Sequence, residues 1–421
     1  MSVWGVSGAA GYGKTFRLME KLEEELLANP LKPGQSILAL TFMHGARQRL
    51  DQRLRGIPGL RGRYNCVTVD GFARNIRERW RQLATHLCQP STDEVDFDQQ
   101  CSLAADLLER AVVGGWVGAG YPLVLLDEAQ DLDEGRVRLV SSLGDHAKVL
   151  VAFDDFQCLD KERRPSPIVN WISRACEVEV LDKPQRTNVQ ELLDAATAIR
   201  DGRPPTPGKV FDVIGFKAPA MAAAYIASKL TYAKPRRSIA IITPSRSRGH
   251  AEQLVTYIST KQRGQRKLGP FPTTWEELDS GALHQLKGLL STEIDSLEAT
   301  RRGIAGMPDS TLRTSLLRWL QRQENVAGRS SVSAAEVLVR AKRIVASHRA
   351  RAYKSDLGRR ALTVHQAKNR EFDGVIVIWP YTVGSDDEGK RRLLYNAVTR
   401  AKNWCFVVVQ GEESVKKAPF A

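Results

Sequence analysis

Gly8-Ala9-Ala10-Gly11-Tyr12-Gly13-Lys14-Thr15 sets glycines around a tight turn and ends on a lysine and a hydroxyl. A loop of this spacing turns backbone N–H groups inward and hands over to a helix whose positive end favours phosphate. Lys14 is placed to reach outer phosphates, and the Thr15 hydroxyl to ligate Mg²⁺. Far downstream, Asp127 and Glu128 follow the apolar run 123–126 directly. There Asp127 is suited to hold Mg²⁺ through water or Thr15, and Glu128 to polarise an attacking water. Taken alone, the two acids could equally cap the next helix. Paired with the phosphate loop, they point to hydrolysis of a nucleoside triphosphate.

Elements must hold these groups together. Residues 3–6 supply a short strand before the loop, and 36–42, 66–69, 122–126 and 148–153 read as further buried strands alternating with helical patterns. Such alternation predicts a parallel sheet with helices on both faces, which exposes Asp127 and Glu128 at its carboxyl edge. Gly202-Arg203-Pro204-Pro205-Thr206-Pro207-Gly208 reads as a linker, after which 210–216, 238–243, 361–365, 375–379 and 404–409 form a second strand set. The expected organisation is an N-terminal nucleotide-binding domain over 1–200, interrupted at about 74–120, and a C-terminal α/β domain over 201–421 with a helical, strandless insertion at about 261–353.

The chain carries 62 Lys and Arg against 48 Asp and Glu, a net charge of +14 in 421 residues. That excess favours a polyanionic partner, most simply nucleic acid, although solubility alone is the plainer account. The basic run Lys234, Arg236, Arg237, Arg246, Arg248, Lys261, Arg263, Arg266 and Lys267 is either part of a nucleic-acid track or a solvated face. Six cysteines lie far apart, without metal-site spacing, and no apolar run approaches a membrane span. A cytoplasmic protein without membrane contact is expected.

Asp127-Glu128-Ala129-Gln130-Asp131 together with the phosphate loop resembles the superfamily 1 helicases of the UvrD/Rep type, and further segments resemble that family's motifs in the family's order. Ile37 to His44 followed by Ala46 resembles a segment that touches single-stranded DNA. Val67-Thr68-Val69-Asp70-Gly71-Phe72 resembles the next, with Asp70 where the family has histidine. Phe153-Asp154-Asp155-Phe156-Gln157 resembles the segment whose glutamine senses the terminal phosphate, and Gln185-Arg186-Thr187 the one whose arginine reaches that phosphate from the other side. Thr363 to Asp373, including Glu371, resembles the segment that links nucleotide to DNA. The closest match is Arg391 to Lys402.

The resemblance implies tandem RecA-like P-loop domains, ATP with Mg²⁺, and single-stranded or forked DNA as partner. It assigns Lys14, Glu128, Gln157, Arg186 and Arg400 to catalysis, Arg400 as an arginine finger, and Glu371 to the nucleotide. Thr41, Phe42, Phe72 and His365 become DNA contacts, with core packing an equal alternative for the two phenylalanines. The family's base-stacking tyrosine is replaced by Gln185, and Cys158-Leu159-Asp160 replaces its aromatic pair after Gln157. The expected function is an ATP-dependent DNA helicase or translocase. The alternative is a DNA-stimulated ATPase that switches a protein partner such as a nuclease, and the compact form is similar to the helicase-like subunits of bacterial defence systems such as Gabija. A structural DNA-binding protein with a degenerate site is argued against by the complete residue set. Direction of travel leans 3′ to 5′ by the same resemblance.

Overall fold

The computed structural model describes residues 2–42, 44–87, 97–185, 189–231, 237–246, 249–262, 267–276, 279–290, 294–352 and 358–421. Its first sheet contains β1 (Ser2–Gly8), β2 (Ile37–Thr41), β3 (Tyr64–Thr68), β4 (Leu123–Asp127), β5 (Lys148–Phe153) and β6 (Val178–Leu181). These run in the order β3-β2-β4-β5-β1-β6, and every neighbouring pair is parallel. A parallel sheet places all its carboxyl ends on one edge. Gly8, Thr41, Asp127 and Phe153 therefore share an edge, with Thr41 in register with Asp127.

The period of two in these strands sorts their side chains to two cores. Leu38, Leu40, Val124, Leu126, Val149 and Val151 face one helical layer, whereas Ile37, Ala39, Leu123, Leu125, Leu150 and Ala152 face the other. The second layer is the helices Lys14–Ala28 and His44–Arg55, through Leu18, Leu22, Leu50 and Leu54. The first includes Phe97–Leu108 and Ala111–Gly120, so this stretch between β3 and β4 contributes Cys101, Ala104, Leu108 and Val117 to the same core.

The second sheet contains β7 (Phe211–Phe216), β8 (Ser238–Thr243) and β9 (Thr274–Trp275), then, after the strands β10 (Ile294–Ser296) and β11 (Ser331–Ser333) of an inserted unit, β12 (Gly358–Thr363), β13 (Phe372–Trp379) and β14 (Ala401–Gln410). Its order is β7-β14-β13-β8-β12-β9, again parallel throughout. The fold is thus two parallel-sheet α/β domains, as expected for tandem RecA-like domains. The helix Gln190–Asp201 packs Leu192, Ala195 and Ile199 into the core of the second sheet, and the helix Asp387–Val398 packs Leu394 and Tyr395 beside them. Asp386 caps the latter helix by accepting from the Gly389 N–H at 2.7 Å.

Met1–Trp275 with Asp356–Ala421 forms one compact unit and Glu276–Ser355 another. The latter is mainly helical, with Asp279–Leu289, Leu297–Ala305, Thr311–Asn325 and Ala334–Ala352 around Leu286, Ile304, Leu316, Leu320 and Val337. It is not strandless: β10 and β11 pair antiparallel. Among the described residues, no helix is long and apolar enough to cross a membrane.

Candidate functional site

The loop after β1 turns through Gly11 and Gly13, whose φ values of 86° and 82° are left-handed and suit glycine. A Cβ on Gly13 would also collide with the Gln185 side chain, while the Gln185 N–H donates to the Gly11 carbonyl at 2.7 Å. Lys14 opens the following helix and is buried. Its Nζ donates to the carbonyls of Gly8 at 2.9 Å and Ala9 at 3.1 Å and stands 3.7 Å from Asp154 Oδ2.

Thr15 Oγ1 donates to Asp127 Oδ2 at 3.1 Å, which joins the loop to the end of β4. Glu128 adopts φ 57°, an uncommon value for a residue with a side chain. Its N–H donates to Asp127 Oδ1 at 3.0 Å, and its Oε2 accepts from Gln130 Nε2 at 2.7 Å. Gln130 Oε1 in turn accepts from the Asp154 N–H at 3.0 Å, and Gln157 Nε2 donates to Asp154 Oδ2 at 2.9 Å.

The adjacent acids are pushed apart electrostatically. Burial, and then the Glu128 charge, drive the Asp127 carboxyl up to about 6. Burial also acts to raise Glu128, but Lys14, the Gln130 amide, Arg49 and Arg400 outweigh it and leave that carboxyl below its ordinary value. An ionised Glu128 is what a base toward water requires.

Side chains from the second sheet complete the cleft. Arg400, only 2% exposed, donates through Nε to the Asn396 carbonyl at 2.9 Å and through Nη2 to Thr399 Oγ1 at 3.1 Å and Gln157 Oε1 at 3.2 Å. Tyr395 Oη accepts from the Ala10 N–H at 2.7 Å. Arg392 Nη2 donates to Asp155 Oδ2 at 2.9 Å, with Arg392 Nη1 on the Asp155 carbonyl. Arg200 Nη1 donates to Asp154 Oδ1 at 3.0 Å. Lys368 forms a buried ion pair with Asp131, and Glu371 lies between Arg49 at 3.7 Å and Lys402 at 3.3 Å.

The structure therefore gathers Lys14, Thr15, Asp127, Glu128, Gln157 and Arg400 with the loop Gly8, Ala9, Ala10, Gly11, Tyr12 and Gly13, and sets Glu371 against Arg49 of the first domain. Arg186 lies outside the described residues, as do Lys234, Arg236, Arg248, Arg263 and Arg266. Of the residues expected to contact DNA, Thr41 and Phe72 are buried, Phe72 in the core. Phe42 is half-buried with the Arg136 guanidinium 5.6 Å from its ring centroid, and His365 is exposed. Sequence reasoning did not single out Arg200, Asp154, Gln130, Lys368 or Tyr395. Apart from Arg200, each lies within or beside a segment it had marked.

The donor set fits a magnesium-bound triphosphate. Mg²⁺ takes one or two protein oxygens beside substrate phosphates, and Thr15 with Asp127 offers that pair next to the glycine loop.

Residues 359–408 match the family model of the UvrD-like helicase C-terminal domain. The matched segment holds His365, Glu371, Tyr395 and Arg400. Among solved structures, the arterivirus nonstructural protein 10 helicase in complex with DNA is similar at 12% identity and TM-score 0.39, covering 97% of this chain and 60% of that one. A crystal structure of the arterivirus nonstructural protein 10 helicase is similar at 13% identity and TM-score 0.38, covering 97% and 59%. The chain thus spans about three fifths of the length of these structures. No curated protein matches.

Proposed function

We propose that this chain is a helicase-type motor that hydrolyses ATP to move along single-stranded DNA and separate strands. The observation that carries the reading is the 3.2 Å hydrogen bond from Arg400 Nη2 to Gln157 Oε1, which joins a cation of the second domain to a glutamine of the first. The match of 359–408 to a UvrD-like helicase domain supports it.

In this reading the loop N–H groups and Lys14 hold the β- and γ-phosphates. Mg²⁺, when bound by Thr15 and Asp127, neutralises developing phosphate charge. Glu128 accepts the proton of the attacking water, Gln157 orients that water, and Arg400 spreads its charge over the transferred phosphoryl oxygens. The family resemblance assigns Arg186 to the same terminal phosphate. The two lobes, the second beginning with the helix Gln190–Asp201 and carrying the insertion Glu276–Ser355, close to assemble this set and open once phosphate leaves. Phe42 and His365 touch the strand, while buried Thr41 and Phe72 shape the edge that presents it.

ATP turnover by the purified chain, with and without single-stranded DNA, tests the reading. Stimulation by DNA that Lys14→Ala and Arg400→Ala each abolish is the expected result, and a forked duplex then reports strand separation. Turnover indifferent to DNA, or insensitive to Arg400→Ala, overturns it.

A further inference from the structure

Asp154 directly follows β5, with a side chain wholly shielded from solvent. Two cations from opposite lobes share it. Lys14 Nζ stands 3.7 Å from Oδ2, and Arg200 Nη1 donates to Oδ1 at 3.0 Å. Arg200 lies near the end of the helix Gln190–Asp201, whose apolar face belongs to the core of the second sheet, so its guanidinium arrives from the far lobe. It is held there by more than charge: its Cζ lies 5.4 Å from the Phe156 ring centroid and 5.8 Å from that of Tyr395, and Nη1 also donates to Tyr395 Oη at 3.4 Å.

A carboxylate removed from water needs a counter-charge or a full set of donors. The remaining partners of Asp154 are neutral: the Gln157 amide, the Phe156 N–H and the Tyr395 hydroxyl. Lys14 has two competing destinations, the Asp154 carboxylate and the outer phosphates of a nucleotide. Whichever cation stays on Asp154 decides how freely Lys14 leaves it.

We propose that Arg200 is a positioning residue of the nucleotide cleft: by holding the charge of Asp154 from the far lobe, it releases Lys14 to the phosphates of a bound nucleoside triphosphate. The proposal rests on the reading of the cleft as a triphosphate site. It makes engagement of Lys14 depend on lobe closure, because the Arg200–Asp154 bond spans the two lobes. Arg200 differs in this from Arg400, which reaches Gln157 rather than the carboxylate. With Arg200 removed, Lys14 becomes the only cation on Asp154 among the described residues, and phosphate must compete with a buried carboxylate for it.

The test uses the full chain and a fluorescent methylanthraniloyl-ATP titration, alongside DNA-stimulated ATP turnover. Arg200→Gln is expected to weaken nucleotide binding and raise KM about tenfold with kcat changed less, while Arg200→Lys, which keeps the charge, stays within about threefold of wild type. In an Asp154→Asn background, where no carboxylate competes for Lys14, Arg200→Gln should change affinity less than about twofold. Wild-type affinity in R200Q, or an equal loss in both backgrounds, overturns the proposal. If R200Q does not fold, Asp154→Asn alone carries the test: it should bind at least as tightly as wild type, and weaker binding overturns the proposal. A wild-type chain that neither binds nor hydrolyses ATP refutes instead the reading of the cleft.

Discussion

The phenol oxygen of Tyr395 accepts a hydrogen bond from the backbone N–H of Ala10 at 2.7 Å, so a side chain of the second domain sits on the phosphate loop of the first. Burial pushes the Tyr395 phenol far above its ordinary pKa, and it stays a neutral hydroxyl that also donates to Asp154 Oδ2 at 3.4 Å. A loop N–H of this kind is the donor a phosphate oxygen takes. In the proposed function, phenol and phosphate therefore compete for the Ala10 N–H.

Tyr395→Phe removes the competitor and keeps the ring that packs edge-on against Phe156 at 5.1 Å. One neutral hydrogen bond corresponds to about 0.5–1.5 kcal/mol, so ATP affinity should rise roughly two- to tenfold. A fluorescent-nucleotide titration checks this. Unchanged or weaker binding would mean that the Tyr395 contact does not oppose the nucleotide.

Glu128→Gln keeps the acceptor for Gln130 Nε2 and the backbone bond to Asp127, and it removes only the negative charge. Nucleotide binding should persist while turnover falls about 10²- to 10⁴-fold, the usual worth of a positioned base. Single-turnover phosphate release separates the two quantities. A mutant that turns over normally assigns the proton to another acceptor.

Much of this was legible in the sequence wherever local backbone geometry demands particular residues. The loop Gly8 to Thr15 and the apolar runs of β4 and β5 are such cases, because a tight turn and a strand buried on both faces leave few residue choices. β6 was not legible: it is an edge strand in which Val180 is 71% exposed and none of the four residues is fully buried, so no buried pattern marks it. β10 and β11 pair across a pair of intervening helices, and neither strand carries a local signal. Arg200 is the instructive case in the site. An arginine in the last turn of a helix is ordinary by dipole preference, and its partners Asp154 and Tyr395 lie 46 and 195 residues away. Only the packing of its helix on the second sheet brings it to the cleft.

Asp373 ties β13 to the start of β8, accepting from the Ser238 N–H at 2.9 Å, Ser238 Oγ at 3.1 Å and Arg237 Nη1 at 2.9 Å. Burial acts to raise its pKa, but the Ser238 N–H, Arg237 and the Ser238 hydroxyl outweigh it and leave it below the ordinary value. A carboxyl lowered in the folded state contributes stability above the unfolded pKa, and that contribution is lost as pH falls through the folded one. Asp373→Ala should therefore lose about 1.5–3 kcal/mol at pH 7, the range for hydrogen bonds to a charged group. The gap from wild type should narrow below pH about 4. Urea denaturation at pH 7 and pH 3 measures both, and a gap independent of pH would assign the loss to packing.

Lys368 and Asp131 form an ion pair between the lobes, and both side chains are almost fully shielded from water. Arg163 Nη1 donates to the Asp131 carbonyl at 2.7 Å and steadies the acid's backbone. Burial raises the Asp131 carboxyl despite the facing lysine, so the pair is held at a desolvation cost. Removing one partner strands the other charge. Lys368→Met alone should destabilise by about 3–5 kcal/mol, whereas Lys368→Met with Asp131→Leu should recover most of that loss. The double variant loses an electrostatic tie between the segment at 363–373, to which the proposed function assigns the link to DNA, and the acid loop after Glu128. Its DNA stimulation of ATP turnover should fall more than its basal turnover. Equilibrium unfolding and paired turnover assays measure the two effects, and undiminished stimulation in the stable double variant would reduce the ion pair to packing.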